Sequence, residues 1–348
     1  DDLLSIINGG ALPNKTFYDN GGYVTLAMAQ TLLAQVYLQR AGAPLNGGRE
    51  YYAKAAAMAQ QVINSNTHAL IDPDGTTDDL TSAFNIIKTS KKTNVASKIE
   101  IIYAKEYNQS GLGVGNSYAA RSIEKAAFQG WKLLHPAGDV LYTAYRPCNM
   151  LIESYHPGDI RGHNQQFFFK EYISPHDGNK YTLNAQGNWA WYDEAALIGG
   201  RNGDYNMPMF RYAEVLLIAA EGYAQTGENT KARDYLNQVR KRAGLEDETA
   251  AAGEALVKII LTERFHEFPL EFKIWDDIRR TRLYPEADGV ESGNLKWTSL
   301  ESATIQNKPK QNETTVGAIK PYVLLWPIPL REMQANPALA GHQNPGWE

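Results

Sequence analysis

The segment 261–281 carries a dense set of charged side chains. Its three glutamates, Glu263, Glu267 and Glu271, follow one another at intervals of four residues, which places their carboxylates on one face of a helix. A glycosidase would hold two such carboxylates about 5–10 Å apart across a sugar. The same segment also supplies basic partners, namely Arg264, Lys273, Arg279 and Arg280. We therefore predict a structural ion-pair cluster that ties this helix to its neighbours.

Two other groups of side chains could in principle hold a metal ion. His156 and His163 flank Asp159 and Arg161, and we predict a salt bridge between the latter two rather than a metal site. The acidic stretch 72–79 resembles a calcium loop in charge only, because its glycine is at the fourth position and an EF-hand needs one at about the sixth. We predict no cofactor, and bound Ca²⁺ remains an open alternative.

Aromatic residues concentrate ahead of the last helical segment, next to polar residues that mark a loop. Sugar rings present apolar C–H faces that stack on indole and phenol rings, while their hydroxyls need hydrogen-bonding partners. We predict that Trp189 and Trp191 point to one side of an extended loop and bind a ligand together with Tyr192, Asn188 and Asp193. The alternative is that both tryptophans cap a core, since large aromatic side chains are usually partly buried.

The composition excludes several classes of protein. The sequence has 34 basic and 39 acidic residues and a net charge of −5, which argues against a nucleic-acid partner. We interpret the lysines at 88, 91, 92 and 98 as a solvated loop. A single cysteine, Cys148, excludes an internal disulfide. No apolar run approaches the 18 or so residues of a membrane-spanning helix.

The elements that must position these groups are indicated by a helical repeat of about 34 residues at 211–244. Small Ala220 lies three positions before Tyr223, and Gly227 lies four positions after it. The packing positions of the second helix are then Ala232, Leu236 and Val239. A second copy upstream has Ala34, Tyr37, Ala55, Ala59 and Val62 in the corresponding places. Because one repeat cannot bury its apolar face alone, the pattern predicts stacked helix pairs.

We predict a single all-α domain over 1–348, in which tetratricopeptide-like helix pairs carry a long loop-rich insertion with minor β structure. The helix within 252–281 should be continuous apart from a kink at Pro269. A long irregular region in a compact protein is usually functional. The predicted parts are a helical repeat at 22–65, a loop-rich ligand-binding insertion at 66–206, a helical repeat and ion-pair helix at 207–281, and an irregular tail at 282–348.

Three strings give a family resemblance. The segment Leu261–Thr281 resembles the Glu-Arg…Glu…Trp/Phe-Asp…Arg-Arg helix of the SusD/RagB family, and Arg211–Glu214 resembles the opening of its last repeat. The tail Trp326–Glu348 is similar to its Pro-Ile-Pro turn and its terminal Gln-Asn-Pro-Gly-aromatic string. The strings occur in the order of the family. The earlier repeats that normally precede a segment such as 22–65 are not found in this sequence, so part of the binding surface is expected to be missing.

The resemblance implies a cell-surface lipoprotein of the outer membrane that captures oligosaccharide and passes it to a TonB-dependent transporter of the SusC type. Such a lipoprotein contacts the membrane through a lipid anchor on an N-terminal cysteine. This sequence does not contain that cysteine. The resemblance implies a binding protein and not an enzyme. Two alternatives remain open: a peptide-binding relative of the same family, and a tetratricopeptide-type adaptor between proteins.

Overall fold

The structure is a computed structural model, which describes residues 2–71, 77–91, 99–123, 145–174, 177–199, 202–307, 314–318 and 321–347. Helices dominate, and the strands are short and paired in twos. The prediction of an all-α fold with minor β structure is confirmed. Within the described ranges, no helix combines the length and the apolarity that crossing a membrane requires.

The helices are numbered here in chain order over the described residues. They are α1 (Asp2–Asn8), α2 (Leu26–Ala41), α3 (Gly48–Asn64), α4 (Ala83–Ser90), α5 (Gln109–Leu112), α6 (Asn149–Ser154), α7 (Glu194–Ile198), α8 (Tyr212–Thr226), α9 (Asn229–Arg242), α10 (Gly253–Glu267), α11 (Ile274–Thr281) and α12 (Leu330–Ala335).

Within the described residues, the strands form four antiparallel pairs, β1 with β4, β2 with β3, β5 with β6 and β7 with β8. Only the first pair joins distant parts of the sequence, and it connects the insertion to the start of α8. The strands are β1 (Ile101–Lys105), β2 (Phe168–Ile173), β3 (Lys180–Asn188), β4 (Met207–Arg211), β5 (Leu283–Ala287), β6 (Leu295–Ser299), β7 (Thr304–Asn307) and β8 (Thr314–Ala318).

The two helical repeats found in the sequence are the pairs α2–α3 and α8–α9, and they pack on each other. Ala34 of α2 and Ala55 of α3 are fully buried, as the small residues of the repeat predict. Helices α3 and α8 approach closely at Gly222, where a Cβ atom would come within 2.7 Å of the Tyr52 carbonyl oxygen. Gly227 ends α8 with a left-handed φ of 88°, which glycine adopts at little cost.

The prediction of one continuous helix over 252–281 is wrong, because α10 ends at Glu267. The ring of Pro269 excludes the helical conformation for the residue before it, and Phe268 has φ −116° and ψ 38°. The chain resumes a helix only at Ile274, in α11. Glu271 therefore leaves the helix face that it was predicted to share, and it lies in the connecting turn.

The prediction of an irregular tail after residue 282 is also wrong, since the hairpin β5–β6 follows α11 directly. Trp297 of β6 is buried, and its indole nitrogen donates a hydrogen bond to Thr262 Oγ1 at 2.9 Å. The hairpin was missed because its first strand contains Pro285, a residue that normally interrupts a strand. A hairpin edge tolerates this proline because its nitrogen needs no partner there.

A buried network of charged side chains joins the insertion to the helical frame, as the ion-pair prediction required. Glu267 is fully buried, and its carboxylate accepts hydrogen bonds from Arg161, Arg211 and Arg242. Glu100, just before β1, also pairs with Arg211 and Arg242, at 2.7 Å each. The cluster connects α9, α10 and β4 with two loops of the insertion.

The partners predicted for these glutamates are wrong, although the structural role is confirmed. Arg264 pairs with Asp277 at 2.8 Å, and Arg280 pairs with Glu221 and Asp277. These pairs connect α10, α11 and α8. The predicted partners were basic residues that lie close to these glutamates in the sequence. The side chains that complete the Glu267 cluster come instead from positions 25 to 106 residues away.

Candidate functional site

The aromatic string predicted as a ligand platform lies inside the molecule. Trp189, Trp191 and Tyr192 are 7%, 1% and 3% exposed, and the chain from Trp189 to Trp191 is a turn of 3-10 helix rather than an extended loop. The two indoles therefore point in different directions and enter different core clusters. The prediction that both tryptophans point to one side of an extended loop is therefore wrong. Direct contact of these residues with a ligand stays a prediction.

The two polar residues of the same string cap short helices. Asn188 Oδ1 accepts a hydrogen bond from the Trp191 backbone at 3.3 Å, and Asp193 Oδ1 accepts one from the Ala196 backbone at 3.4 Å, at the start of α7. Both side chains are buried. Capping gives each of them a structural role, and their contact with a ligand also stays a prediction.

Two lysines cover the faces of the buried indoles. Lys88 Nζ lies 3.4 Å from the centroid of the Trp189 ring, and Lys91 Nζ lies 4.1 Å from that of Trp191. Both lysines are buried, so their interpretation as a solvated loop is wrong. The other two lysines of that cluster lie outside the described residues. Each contact is a cation–π interaction, and it occupies a ring face that a sugar would need.

The predicted salt bridge between Asp159 and Arg161 is confirmed, with Oδ2 and Nη2 at 2.8 Å. His163 Nδ1 lies 3.1 Å from Asp78 Oδ2, which connects two loops of the insertion. Over the described residues, no group of three or more His, Cys, Asp or Glu side chains is placed to hold a metal ion. Residues 72–76 lie outside the described residues, so the calcium alternative stays untested.

A second group of aromatic rings lies at the surface, and we call Tyr118, Tyr145 and Phe272 the aromatic surface. The ring of Phe272 is 51% exposed, and its centroid lies 6.2 Å from that of Tyr145 and 6.4 Å from that of Tyr118. Trp191 lies beneath, 4.6 Å from Tyr118. The guanidinium of Arg121 lies 5.4 Å from the Tyr145 ring. Unlike the rings of the buried string, these rings have faces that are partly exposed.

Polar contacts fix the backbone that carries Tyr118. Asn116 Oδ1 accepts a hydrogen bond from the Tyr118 backbone at 3.0 Å, and its amide donates to the Tyr205 carbonyl. Asn116 and Gly203 also form an isolated β-bridge. The Tyr118 hydroxyl lies 3.2 Å from Met207 Sδ. The aromatic surface is therefore attached to the chain that enters β4.

A groove of about 670 Å³ opens beside Phe272, between α2, β4 and the segment 271–279. Its apolar walls include Val36, Met209 and Phe272, which are 48%, 37% and 51% exposed. The volume falls in the range of about 300–1,000 Å³ that is typical of small-molecule sites. Because Phe272 belongs to both features, the aromatic surface and the groove form one continuous candidate site.

The carboxylates that line this groove all have basic partners. The pairs are Glu214 with Lys273 at 2.9 Å, Glu271 with Arg211 at 2.9 Å, Asp276 with Arg279 at 3.5 Å, and Asp277 with Arg264 at 2.8 Å. At the floor, Arg264 Nη1 is buried and has no hydrogen-bond partner among the described residues. General acid catalysis needs a carboxyl group with a raised pKa, whereas basic partners favour the ionised form. The lining thus offers fixed donors and acceptors to a ligand.

Sequence reasoning did not single out Tyr118, Tyr145 or Phe272. The three residues lie up to 154 positions apart, so no local density of aromatic residues marks them. One signal was present: Phe272 follows Pro269 in a segment where polar residues would be expected at the end of a helix. An exposed aromatic residue just after a helix break is a reasonable surface candidate.

The sequence and the structure both match known proteins. A model of the SusD family matches residues 13–347. A SusD-like protein P2 from Formosa agariphila is 28% identical over 286 residues, which cover 76% of this chain and 52% of that protein. The chain thus spans about half the length of this curated relative.

Two solved structures show the same fold. A SusD superfamily protein from Parabacteroides distasonis has a TM-score of 0.77 and 27% identity, with 99% of this chain and 67% of that chain covered. The surface glycan-binding protein A from Bacteroides thetaiotaomicron, in complex with laminarihexaose, has a TM-score of 0.66 and 20% identity, with 98% and 68% covered. The match of the family model extends over nearly the whole sequence, and the chain therefore belongs to the SusD family.

Proposed function

We propose that this chain binds an oligosaccharide across the aromatic surface and the adjoining groove. The observation that carries the proposal is the set of partly exposed rings of Tyr118, Tyr145 and Phe272 at the mouth of the groove. Aromatic side chains stack on the apolar faces of sugars, much as they stack on nucleic-acid bases, where each contact contributes about 1–3 kcal/mol. A related fold in complex with laminarihexaose supports the same class of ligand.

The groove lining favours a hydroxyl-rich ligand over a cationic one. Its carboxylates are already paired with basic side chains, so a positive charge on the ligand would find no unpaired carboxylate on the described lining. Such carboxylates still accept hydrogen bonds from sugar hydroxyls.

The proposed role is capture without turnover, followed by delivery to a TonB-dependent transporter of the SusC type at the outer membrane. The basic partner that each carboxylate of the described groove lining has supports binding rather than hydrolysis. Membership of the SusD family supports the transporter as partner and a surface-exposed lipoprotein as the cellular form.

A peptide ligand is the second candidate, and one observation favours it. Besides Phe272, the exposed large apolar side chains of the groove walls are aliphatic, namely Val36, Leu45 and Met209. Aliphatic side chains pack well against apolar peptide side chains but stack poorly on sugars. An adaptor function has no comparable support in the geometry of the groove.

A direct test compares ligand classes on the same protein. The wild-type chain is titrated by calorimetry with laminarihexaose, maltohexaose, cellohexaose and mannohexaose, and with a mixed library of hexapeptides. We expect a hexasaccharide to bind and Phe272→Ala to weaken its binding about tenfold, which corresponds to about 1.4 kcal/mol. The matched control is Trp326→Ala, which removes another exposed aromatic ring outside the groove and should bind like wild type. Binding of peptides alone would reject the glycan proposal.

A further inference from the structure

The turn that carries Phe272 has an unusual backbone. Leu270 and Phe272 both adopt left-handed conformations, with φ of 66° and 61°. For a residue with a Cβ atom this conformation is unfavourable, and bulky side chains adopt it rarely. Phe272 is also 51% exposed, so burial of its own ring offsets little of this cost. Other contacts must hold the turn in place.

Glu271, between the two left-handed residues, supplies the strongest of those contacts. Its carboxylate accepts hydrogen bonds from Arg211 Nε at 3.0 and 3.1 Å and from Arg211 Nη2 at 2.9 Å. Arg211 is 1% exposed and belongs to the Glu267 cluster. Bidentate pairs of arginine and carboxylate are both strong and directional. The turn is thereby attached to the rigid centre of the frame.

The residue after Phe272 forms a second attachment. Lys273 Nζ donates to the Met209 carbonyl oxygen at 2.6 Å and lies 2.9 Å from Glu214 Oε2. Phe272 is therefore held between two anchored neighbours. Its ring has little freedom to leave the position beside Tyr145, where the two rings meet edge to face at 83°.

From this geometry we propose that Arg211 and Glu271 are positioning residues for the ligand, because they hold the strained turn that presents Phe272 to the site. The inference rests on the proposed function of the aromatic surface as a binding site. Strained backbone of this kind persists where the surrounding structure overdetermines it, and it clusters at ligand-binding sites. The buried charge network thus has a second role in addition to stability: it fixes the shape of the binding surface.

Glu271 can be changed with little disturbance to the rest of the network. Arg211 keeps two other carboxylate partners, Glu100 at 2.7 Å and Glu267 at 3.0 Å. Glu271 is also less buried than these two, with a side chain that is 10% exposed. The substitution Glu271→Gln therefore removes the negative charge and one of the two acceptor oxygens that Arg211 contacts, which weakens the attachment of the turn and leaves the core of the cluster paired.

The experiment is a double-mutant cycle read by calorimetry with the hexasaccharide that binds wild type most tightly. Glu271→Gln should weaken binding at least fivefold with little change in Tm, and Phe272→Ala should weaken it about tenfold. The double variant should bind no more weakly than Phe272→Ala alone, because both changes act through the same ring. Additive losses, or wild-type affinity in Glu271→Gln, would overturn the proposal.

A second arm separates this inference from the proposed function. A crystal structure of Glu271→Gln without ligand should show Phe272 outside the left-handed region and its ring displaced from Tyr145 and Tyr118. An unchanged turn in that structure would overturn the inference, whether or not a hexasaccharide binds. If no hexasaccharide binds wild type, the proposed function is wrong. A displaced turn would then show that Arg211 and Glu271 anchor Phe272. The proposed role of the two residues in ligand binding would be rejected together with the function.

Discussion

Two aromatic groups of this protein are adjacent in space and opposite in role. The string at 189–192 is buried, and two lysines cover its indole faces. The aromatic surface presents Tyr118, Tyr145 and Phe272 to solvent and meets the buried group where the rings of Tyr118 and Trp191 lie 4.6 Å apart and tilted by 40°. One group is a core that supports the other. A ring face is available to a ligand only where the protein has not already covered it.

The two groups also differ in how they arise from the sequence. The buried string is local in the sequence, and it packs against elements from elsewhere in the chain, as with Trp189 Nε1, which donates to Asn85 Oδ1 of α4 at 2.7 Å. The aromatic surface is assembled from three segments that β4 and the turn after α10 bring together. Local aromatic density thus marked a core, and the surface that fits a ligand came from scattered residues.

The largest expected effect tests the buried half of this comparison. Trp189→Ala and Trp191→Ala should each lower the free energy of unfolding by about 3–5 kcal/mol, because both remove a buried indole and leave a cavity. The affinity of the folded fraction for a hexasaccharide should stay within about twofold of wild type. Urea unfolding and calorimetry measure the two quantities. A tenfold loss of affinity in a variant of wild-type stability would instead support the direct ligand contact predicted from the sequence.

Much of the frame could be predicted from the sequence because repeat packing is a short-range pattern. The spacing of Ala220, Tyr223 and Gly227 requires two helices and a left-handed turn within one stretch of chain, and the structure contains them. The same holds for the pair α2–α3. The presence of an ion-pair cluster followed from the density of charge on α10.

The candidate site could not be predicted from the sequence, and the reason is physical. A charge or ring in a sequence shows its type but not the direction in which tertiary packing turns it. Lys88 and Lys91 read as solvated charges, yet packing of α4 against the 3-10 turn at 189–191 buries both. Phe272 reads as part of a helix, yet Pro269 ends that helix and leaves the ring exposed. Contacts between distant segments decided each outcome.

The second expected effect tests whether the frame beneath both aromatic groups depends on Glu267. Burial would raise the pKa of this carboxyl group, but Arg242, Arg211 and Arg161 outweigh it and lower the pKa to about 2. The shift from 4.5 is equivalent to about 3 kcal/mol of stabilisation. Glu267→Gln should lose about that amount at pH 7, as measured by urea unfolding.

The pH dependence gives the control for this variant. A carboxyl group with a lowered pKa in the folded state stabilises fully above pH 4.5, and the contribution is lost as the pH falls toward 2. The difference between wild type and Glu267→Gln should therefore shrink on acidification. The exposed pair of Glu254 and Lys258 supplies a comparison, since Glu254→Gln should leave the free energy of unfolding nearly unchanged. Equal costs for the two variants would contradict a central role for Glu267.

The smallest expected effect concerns Lys91, which lies between the two aromatic groups. Burial lowers its pKa to about 8, although the nearby Glu271 favours the charged form. Its ammonium group lies on the Trp191 ring and 3.3 Å from the Ala190 carbonyl oxygen. These contacts offset part of the desolvation cost. The charged lysine should nevertheless destabilise the folded state at neutral pH by about 1–3 kcal/mol.

The sign follows from proton binding. Between pH 8 and 10.5 the folded state releases the Lys91 proton while the unfolded state keeps it, so this group makes the protein more stable as the pH rises. Lys91→Met lacks the group, and its stability advantage over wild type should be largest at pH 7 and decrease toward pH 10. Tyrosines titrate in the same range but cancel in the difference. An advantage that stays constant from pH 7 to 10 would show that Lys91 is not desolvated, and would contradict the burial of the Trp191 ring face beneath it.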